Sequence, residues 1–438
     1  MDDQASRASG SPAVYRCPGQ TYTIDRTVHM ARLAAFYPGC LGCAHRHDAG
    51  GLSPLQLRQW SQLERHAPGG ARLAGEGILG ATSGDIDAAV VGRAAGALAA
   101  SLWSRGKSAA ATPTVLVGTD GNWTSADFVP AACRALQMAG CRALETGAVT
   151  SPCLAAAAHH LRAEAALWVG NSSGQPHATS IKLWHAGGRP SSSPGELDVA
   201  FGCYESPPVR PKRGGGRLQR FGAEEVYLPT LRGLFHGLRP LVFVLDTTCD
   251  ALVRYWQGLN AQAACRMVQP ARGLAESRAG AEDRPFISRR IDSVAREVLA
   301  EGAHFGMWID GDGETCRLVD ERGEQVDGEK FLVLVAGYVC REQPGAGVVL
   351  EPAAGIEPQR ALGRLGARVS RADVTRQGMC ERMESTGALV GGGASGRYWF
   401  SGPPPMPDAL LSLSLLITIL SRSDRPLSEV LDAAPGAG

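Results

Sequence analysis

From about residue 77 onward the chain alternates short apolar runs with longer helix-like stretches, and several of the short runs stop at loops of small polar residues. Runs this short read as strands, and strand–helix alternation builds layered α/β units with a largely parallel sheet. In the first such unit helices are expected over 88–103, 128–139 and 153–161, and strands over 114–117, 167–169 and 180–184. A second unit opens with a strand over 241–246 and a helix over 250–259. It continues with a helix over 289–301, strands over 305–309 and 317–319, and a helix over 328–339. A third has strands over 348–350, 388–390 and 398–400, with helices over 359–365 and 408–420. The fold class is therefore α/β: three consecutive mixed-sheet domains, preceded by a small Cys/His-rich segment.

The expected divisions are 1–12 (disordered tail), 13–70 (Cys/His-rich segment plus a helix over 52–66), 71–205, 206–342 and 343–438. Residues 190–216, rich in Pro, Ser, Gly and basic side chains, read as a linker or exposed loop. With 438 residues and 44% hydrophobic content, each unit can bury a core. A net charge of +1 gives no global field for nucleic acid or an anionic membrane, so neither is expected as a partner. The N-terminus lacks the layout of a signal peptide. The apolar run 409–420 is too short to span a bilayer and reads as a buried helix. Twelve scattered cysteines suit a reducing, cytoplasmic setting in which most thiols pack as small apolar groups.

Two loops carry chemistry. The run 305–309 leads into Asp310-Gly311-Asp312-Gly313-Glu314, which sets three carboxylates at alternate positions with glycines between them. Such a loop can aim several hard oxygen ligands at one divalent cation, Mg²⁺ by preference; the same residues also make an ordinary turn. Upstream, 167–169 stops at Gly170-Asn171-Ser172-Ser173. A metal loop with a serine loop suggests phosphoryl transfer, where catalysis is mostly positioning and charge neutralisation.

Near the N-terminus, Cys17, His29, Cys40 and Cys43 form a C-x11-H-x10-C-x2-C pattern, with His45 and His47 just beyond. A Cys-x-x-Cys pair can chelate a tetrahedral metal, and two more soft or imidazole ligands would close a structural Zn²⁺ site. His29, His45 and His47 all compete for the histidine position. Unligated thiols packing on the first domain are the other reading.

Taken in order, these elements resemble the phosphohexomutase family of phosphoglucomutases and phosphomannomutases. Val117-Gly118-Thr119-Asp120 with Thr124-Ser125 is similar to the family's VGRDTRxSS, and Thr150-Ser151-Pro152 to its PTP element. Asn171 to Pro176 followed by Ile181-Lys182-Leu183 is similar to TASHNP…GIKL, the acidic loop to DGDGDR, and 392–397 to GEMSGH. The resemblance implies α/β domains around a cleft and a phosphoserine that moves phosphate on a hexose phosphate. It makes Asp310, Asp312 and Glu314 the Mg²⁺ ligands and puts Ser395, Arg397 and Lys182 among the substrate-binding residues. Registered on Pro176 the phosphoserine is Ser173, which needs no gap; registered on Ile181-Lys182-Leu183 it is Ser172.

Departures fall on functional positions. Leu79, Thr119, Asn122 and Thr315 stand where the family carries arginine, and in the register that makes Ser173 the phosphoserine, Gly174 and Gln175 stand where it carries His and Asn. Glu314 replaces an aspartate, Gly393 a glutamate and Arg397 a histidine. No RxSGTEP segment occurs, so the fourth domain is expected to be missing. One such donor is worth roughly 10²–10³ in rate. The expectation is a mutase-like protein of carbohydrate metabolism with impaired activity, or else a degenerate sugar-phosphate-binding or interaction protein of the same fold. A homo-oligomer, or a partner chain that supplies the missing domain, stays open.

Overall fold

The computed structural model describes residues 14–17, 20–34, 40, 43–54, 56–57, 72–82, 84–105, 112–122, 127–172, 178–202, 204, 215–262, 264–270, 286–373 and 375–433. The expected tail over 1–12, most of the helix expected over 52–66, and Ser173 lie outside them.

Apolar β-rich runs form three mixed sheets. The first has eight strands: β1 (Arg72–Ala74), β2 (Gly77–Ala81), β3 (Thr114–Thr119), β4 (Arg142–Ala148), β5 (Ala165–Gly170), β6 (Ala178–His185), β7 (Arg189–Pro190) and β8 (Arg217–Arg220). Their order is β1-β2-β6-β5-β3-β4-β8, with β7 beside β6. β5, β3, β4 and β8 run parallel, and the β1–β2–β6 side is antiparallel. The second sheet comprises β9 (Val242–Thr247), β10 (Arg266–Val268), β11 (Phe305–Ile309) and β12 (Cys316–Asp320), in the order β10-β9-β11-β12. The third comprises β13 (Gly347–Leu350), β14 (Arg368–Arg371), β15 (Ala388–Gly392), β16 (Trp399–Phe400) and β17 (Met406–Pro407), in the order β14-β13-β15-β16-β17.

One local step recurs in all three sheets. A strand with a parallel neighbour ends in a small-residue loop, and the chain then turns back into an antiparallel strand. It does so from β5 to β6, from β11 to β12 and from β15 to β16. Ligand sites in open α/β sheets gather at such carboxyl ends of strands. These three reversals carry the serine loop, the acidic loop and the 393–397 loop.

One continuous apolar cluster reaches all three sheets and includes Trp168, Phe243, Phe305, Phe331, Val348 and Leu416. The run 409–420 is the helix Ala409–Ser421, which donates most of its side chains to that cluster. No helix among the described residues is long and apolar enough to cross a membrane.

Two expectations change. Part of the expected linker is ordered: β7 extends the first sheet, and the helix Glu196–Phe201 buries Leu197, Ala200 and Phe201 beside Val90 and Ala94. The polar composition around that short helix hides its apolar face. The helix Gly328–Glu342 packs on β15 and on the helices Ile356–Arg364 and Ala409–Ser421. It therefore sits with the third sheet, although the expected second unit runs to 342.

Candidate functional site

Backbone contacts fix the three loops against one another. Asp120, just past β3, accepts a hydrogen bond from Asn171 N–H through Oδ2 at 2.9 Å, pinning the start of the serine loop. Gly170 is required there, because a Cβ would lie 2.6 Å from Asp120 Cγ. The acidic loop closes on its own side chains: Asp310 Oδ1 accepts from the N–H of Glu314 (3.0 Å) and Thr315 (3.1 Å), and Asp312 Oδ1 accepts from Glu314 N–H at 3.1 Å. A Cβ on Gly311 would overlap Asn171 O, so the serine and acidic loops touch backbone to backbone. From the third sheet, Gly396 O accepts from Cys316 N–H at 2.9 Å, and Thr315 pairs with Arg397 in an isolated bridge.

This convergence gathers a buried charge network. Lys182, on β6 and 2% exposed, donates to Asp312 Oδ2 and to Glu314 Oε2, the latter at 3.1 Å. Arg376, 3% exposed at the start of the helix Arg376–Thr386, donates to Glu314 Oε1. Arg397 grips Glu76 with both terminal nitrogens, Nη2 at 2.7 Å from Oε2, and its Nε lies 3.8 Å from Glu314 Oε2. Lys182 Nζ stands 3.7 Å from the same Glu76 oxygen.

The electrostatics follow from this packing. Burial, then the neighbouring Asp312, pushes the Asp310 carboxyl well above the usual range. Burial alone would lower Lys182, but Asp312 and Glu314 outweigh it and keep the ammonium charged. Burial would likewise raise Glu76, but Arg397 and Lys182 hold it far below the carboxylate range. A cavity of about 250 Å³ opens over this network, lined by Ser172, Ser180, Lys182, Arg397, Glu76 and Leu79 among others. Ser172 Oγ donates to Ser180 Oγ at 2.7 Å inside it.

The structure thus brings Ser172, Lys182, Arg397, Asp310, Asp312 and Glu314 together. Ser395 is exposed, bonded to Glu351 through its hydroxyl and its N–H, and its Oγ accepts from Arg397 N–H at 3.1 Å. Among the described residues no group of three or more His, Cys, Asp or Glu is placed to hold a metal ion. At the acidic loop the reason is visible, because Lys182, Arg376 and backbone N–H groups already occupy oxygens of all three carboxylates. As arranged, this donor set does not fit Mg²⁺.

The expected Zn²⁺ set, Cys17, His29, Cys40 and Cys43, is not assembled either. Cys17 Sγ accepts from Arg32 Nη1 at 2.9 Å. The His29 ring stacks on Tyr15 with centroids 4.0 Å apart, and its Nε2 lies 3.3 Å from Asp48 O. Cys40 is buried beside Leu33, and burial, then Cys17 and Cys43, pushes its thiol up to about 11. Cys43 N–H bonds Cys40 O at 3.2 Å, while Cys17 and His29 are engaged by Arg32 and Tyr15.

Sequence reasoning missed Glu76 and Arg376. Glu76 is one acid in a glycine-rich stretch, and Arg376 sits in a polar run beside other arginines. Neither carries a local signal, because their partners lie 321 and 62 residues away.

Comparison with known proteins accounts for this architecture. Residues 73–200 match the phosphoglucomutase/phosphomannomutase α/β/α domain I, and residues 327–436 match the α/β/α domain III of the same family. Together they take in more than half of the chain. The phosphoglucosamine mutase of Moorella thermoacetica is 28% identical over 336 residues, covering 73% of this chain and 73% of its own. That of Erythrobacter litoralis is 26% identical over 331 residues, covering 72% and 71%. Two solved structures share the fold. A phosphoglucomutase/phosphomannomutase family protein from Burkholderia thailandensis has a TM-score of 0.69 at 20% identity, covering 83% of this chain and 80% of its own. The open form of the phosphoglucomutase pp63/parafusin from Paramecium has a TM-score of 0.65 at 12% identity, covering 84% and 75%. With three loops converging on one cleft, in the order the sequence elements imply, this chain belongs to the phosphoglucomutase/phosphomannomutase family, the phosphohexomutases.

Proposed function

We propose that the protein binds a hexose phosphate in the cleft over Lys182 and Arg397 and transfers a phosphoryl group through a loop serine, Ser173 or Ser172, at a reduced rate. The observation that carries this reading is the meeting of three strand-end loops at one buried charge network, beside a cavity lined by Ser172, Lys182 and Arg397. In the transfer, the bond from serine oxygen to phosphorus breaks, a sugar hydroxyl oxygen bonds to phosphorus, and the hydroxyl proton ends on the freed serine oxygen. Lys182 and Arg397 supply positive charge where the phosphoryl oxygens would lie. Reduced rate follows from Leu79, Thr119, Asn122 and Thr315, which offer no guanidinium. Mg²⁺ on Asp310, Asp312 and Glu314, which the resemblance implies, requires Lys182 to give up Asp312 and Glu314. A cytoplasmic place suits the eleven described cysteines, which stand as thiols outside any disulfide.

A second reading, a sugar-phosphate-binding protein without turnover, is favoured by the Lys182 contacts, since they tie up the expected metal-ligand oxygens. Intact mass and phosphosite mapping decide between the two, before and after incubation with glucose 1,6-bisphosphate and Mg²⁺. Phosphate on Ser173 or Ser172 that a hexose monophosphate discharges supports the transferase. Unmodified serines with no turnover of any hexose monophosphate leave the binding protein.

A further inference from the structure

Glu76 occupies an unusual place. β1 and β2 pair with Ala74 opposite Gly77, so Gly75-Glu76 is a two-residue hairpin turn at the edge of the cavity. The turn is anchored at its base, where Gly75 O accepts from Ser193 N–H at 2.9 Å. Close approach of Gly77 to the Ile181 carbonyl leaves no room there for a Cβ. From this fixed base the Glu76 carboxylate reaches into the cavity and meets the Arg397 fork with both oxygens, while Lys182 stands 3.7 Å away. Arginine grips a carboxylate and a phosphate with the same planar pair of N–H donors. Glu76 therefore sits where an anion would be held, and its side chain keeps 34% of its exposure, so it can swing outward without unpacking the core.

We propose that the Arg397 fork and Lys182 form an anion site for the phosphate of a phosphate ester, and that Glu76 is a built-in competitor which a bound phosphate displaces. Phosphate outcompetes the carboxylate by carrying more charge and a third acceptor oxygen, which can also take the Ser172 hydroxyl. Departure of Glu76 removes one negative charge from the network and leaves Arg397 facing the ligand. Between visits the carboxylate keeps two cations from facing an empty cavity. The inference rests on the hexose-phosphate reading only for the identity of the ester.

Titration calorimetry of the full chain with inorganic phosphate, in the presence of a chelator, tests it. Glu76→Gln keeps the side-chain shape and removes the competing charge, and it is expected to bind phosphate about tenfold more tightly than the parent, a difference of about 1.4 kcal/mol. Arg397→Met is expected to abolish binding, alone and combined with Glu76→Gln. Equal or weaker phosphate binding by Glu76→Gln overturns the proposal. Hydrogen exchange of the unmodified protein gives a variant-free reading: phosphate should speed exchange over 74–77 as the turn loses its tether, and slower exchange there overturns the displacement. Both readouts are independent of serine chemistry. Inert serines with phosphate binding that responds to Glu76 sink the transferase reading alone, and phosphorylated serines with binding indifferent to Glu76 sink this proposal alone.

Discussion

Lys182→Met is the sharpest test of how the acidic loop is held. The ammonium bridges two carboxylates that are almost wholly buried, Asp312 at 0% and Glu314 at 1% exposure. Removing one partner of a buried ion pair leaves an uncompensated charge and costs about 3–5 kcal/mol. Glu314 keeps Arg376 and Arg397 nearby, and Asp312 keeps the Glu314 N–H and a side-chain hydrogen bond with Asp310. The loss is therefore expected at the lower end, about 3 kcal/mol. Urea denaturation at pH 7, followed by tryptophan fluorescence, reads it as a lower midpoint at unchanged slope. A loss below about 1 kcal/mol, the size of an exposed pair, would refute the reasoning.

Two further perturbations probe the loop contacts. Gly311→Ala puts a methyl group against Asn171 O and 3.2 Å from Thr248 Oγ1; backbone cannot yield as a side chain does. A loss of about 1–3 kcal/mol is expected, with faster hydrogen exchange over 170–172, and unchanged exchange there would count against direct loop contact. Asp408 is buried, caps the helix Ala409–Ser421 through Leu411 N–H and accepts from Tyr227 Oη at 2.8 Å. Burial raises its carboxyl from 3.8 to about 6. The folded state holds that proton more tightly, so the contribution is full below about 4 and lost by about 6, an amount of about 3 kcal/mol. Asp408→Asn should flatten the fall in stability between pH 4 and 6, and a parallel pH profile in the variant would contradict this.

Much of the fold was legible because its central strands are continuous apolar runs. The strand expected over 305–309 and the helix expected over 250–259 coincide with β11 and with Asp250–Leu259. Two of the strands that reasoning missed share a cause. β8 and β14 lie at sheet edges, with all four residues of β8 exposed and those of β14 only partly covered, so neither needs an apolar signature. At the site, the acidic loop and Lys182 were legible as local patterns. Glu76 and Arg376 were not, because what makes them significant is a partner brought close by tertiary packing. The Cys17, His29, Cys40 and Cys43 spacing shows the converse. Spacing sets which groups could meet, but the Arg32 contact to Cys17 and the stacking of Tyr15 on His29 decide how they face.

The acidic loop also joins the three sheets through its main chain. Asp312 O accepts from Ser151 N–H at 2.8 Å on the first unit, and Gly313 O accepts from Ala409 N–H at 3.0 Å on the third. Peptide groups bond in the same way whatever side chains they carry. A junction made of them keeps its shape while the residues around it are exchanged by mutation, provided the glycines that permit close approach remain. Such a junction lets a lineage rewrite the chemistry of a cleft without dismantling it. The architecture stays recognisable at less than 30% identity to its relatives, with Leu79, Thr119, Asn122 and Thr315 where the resemblance would place arginine.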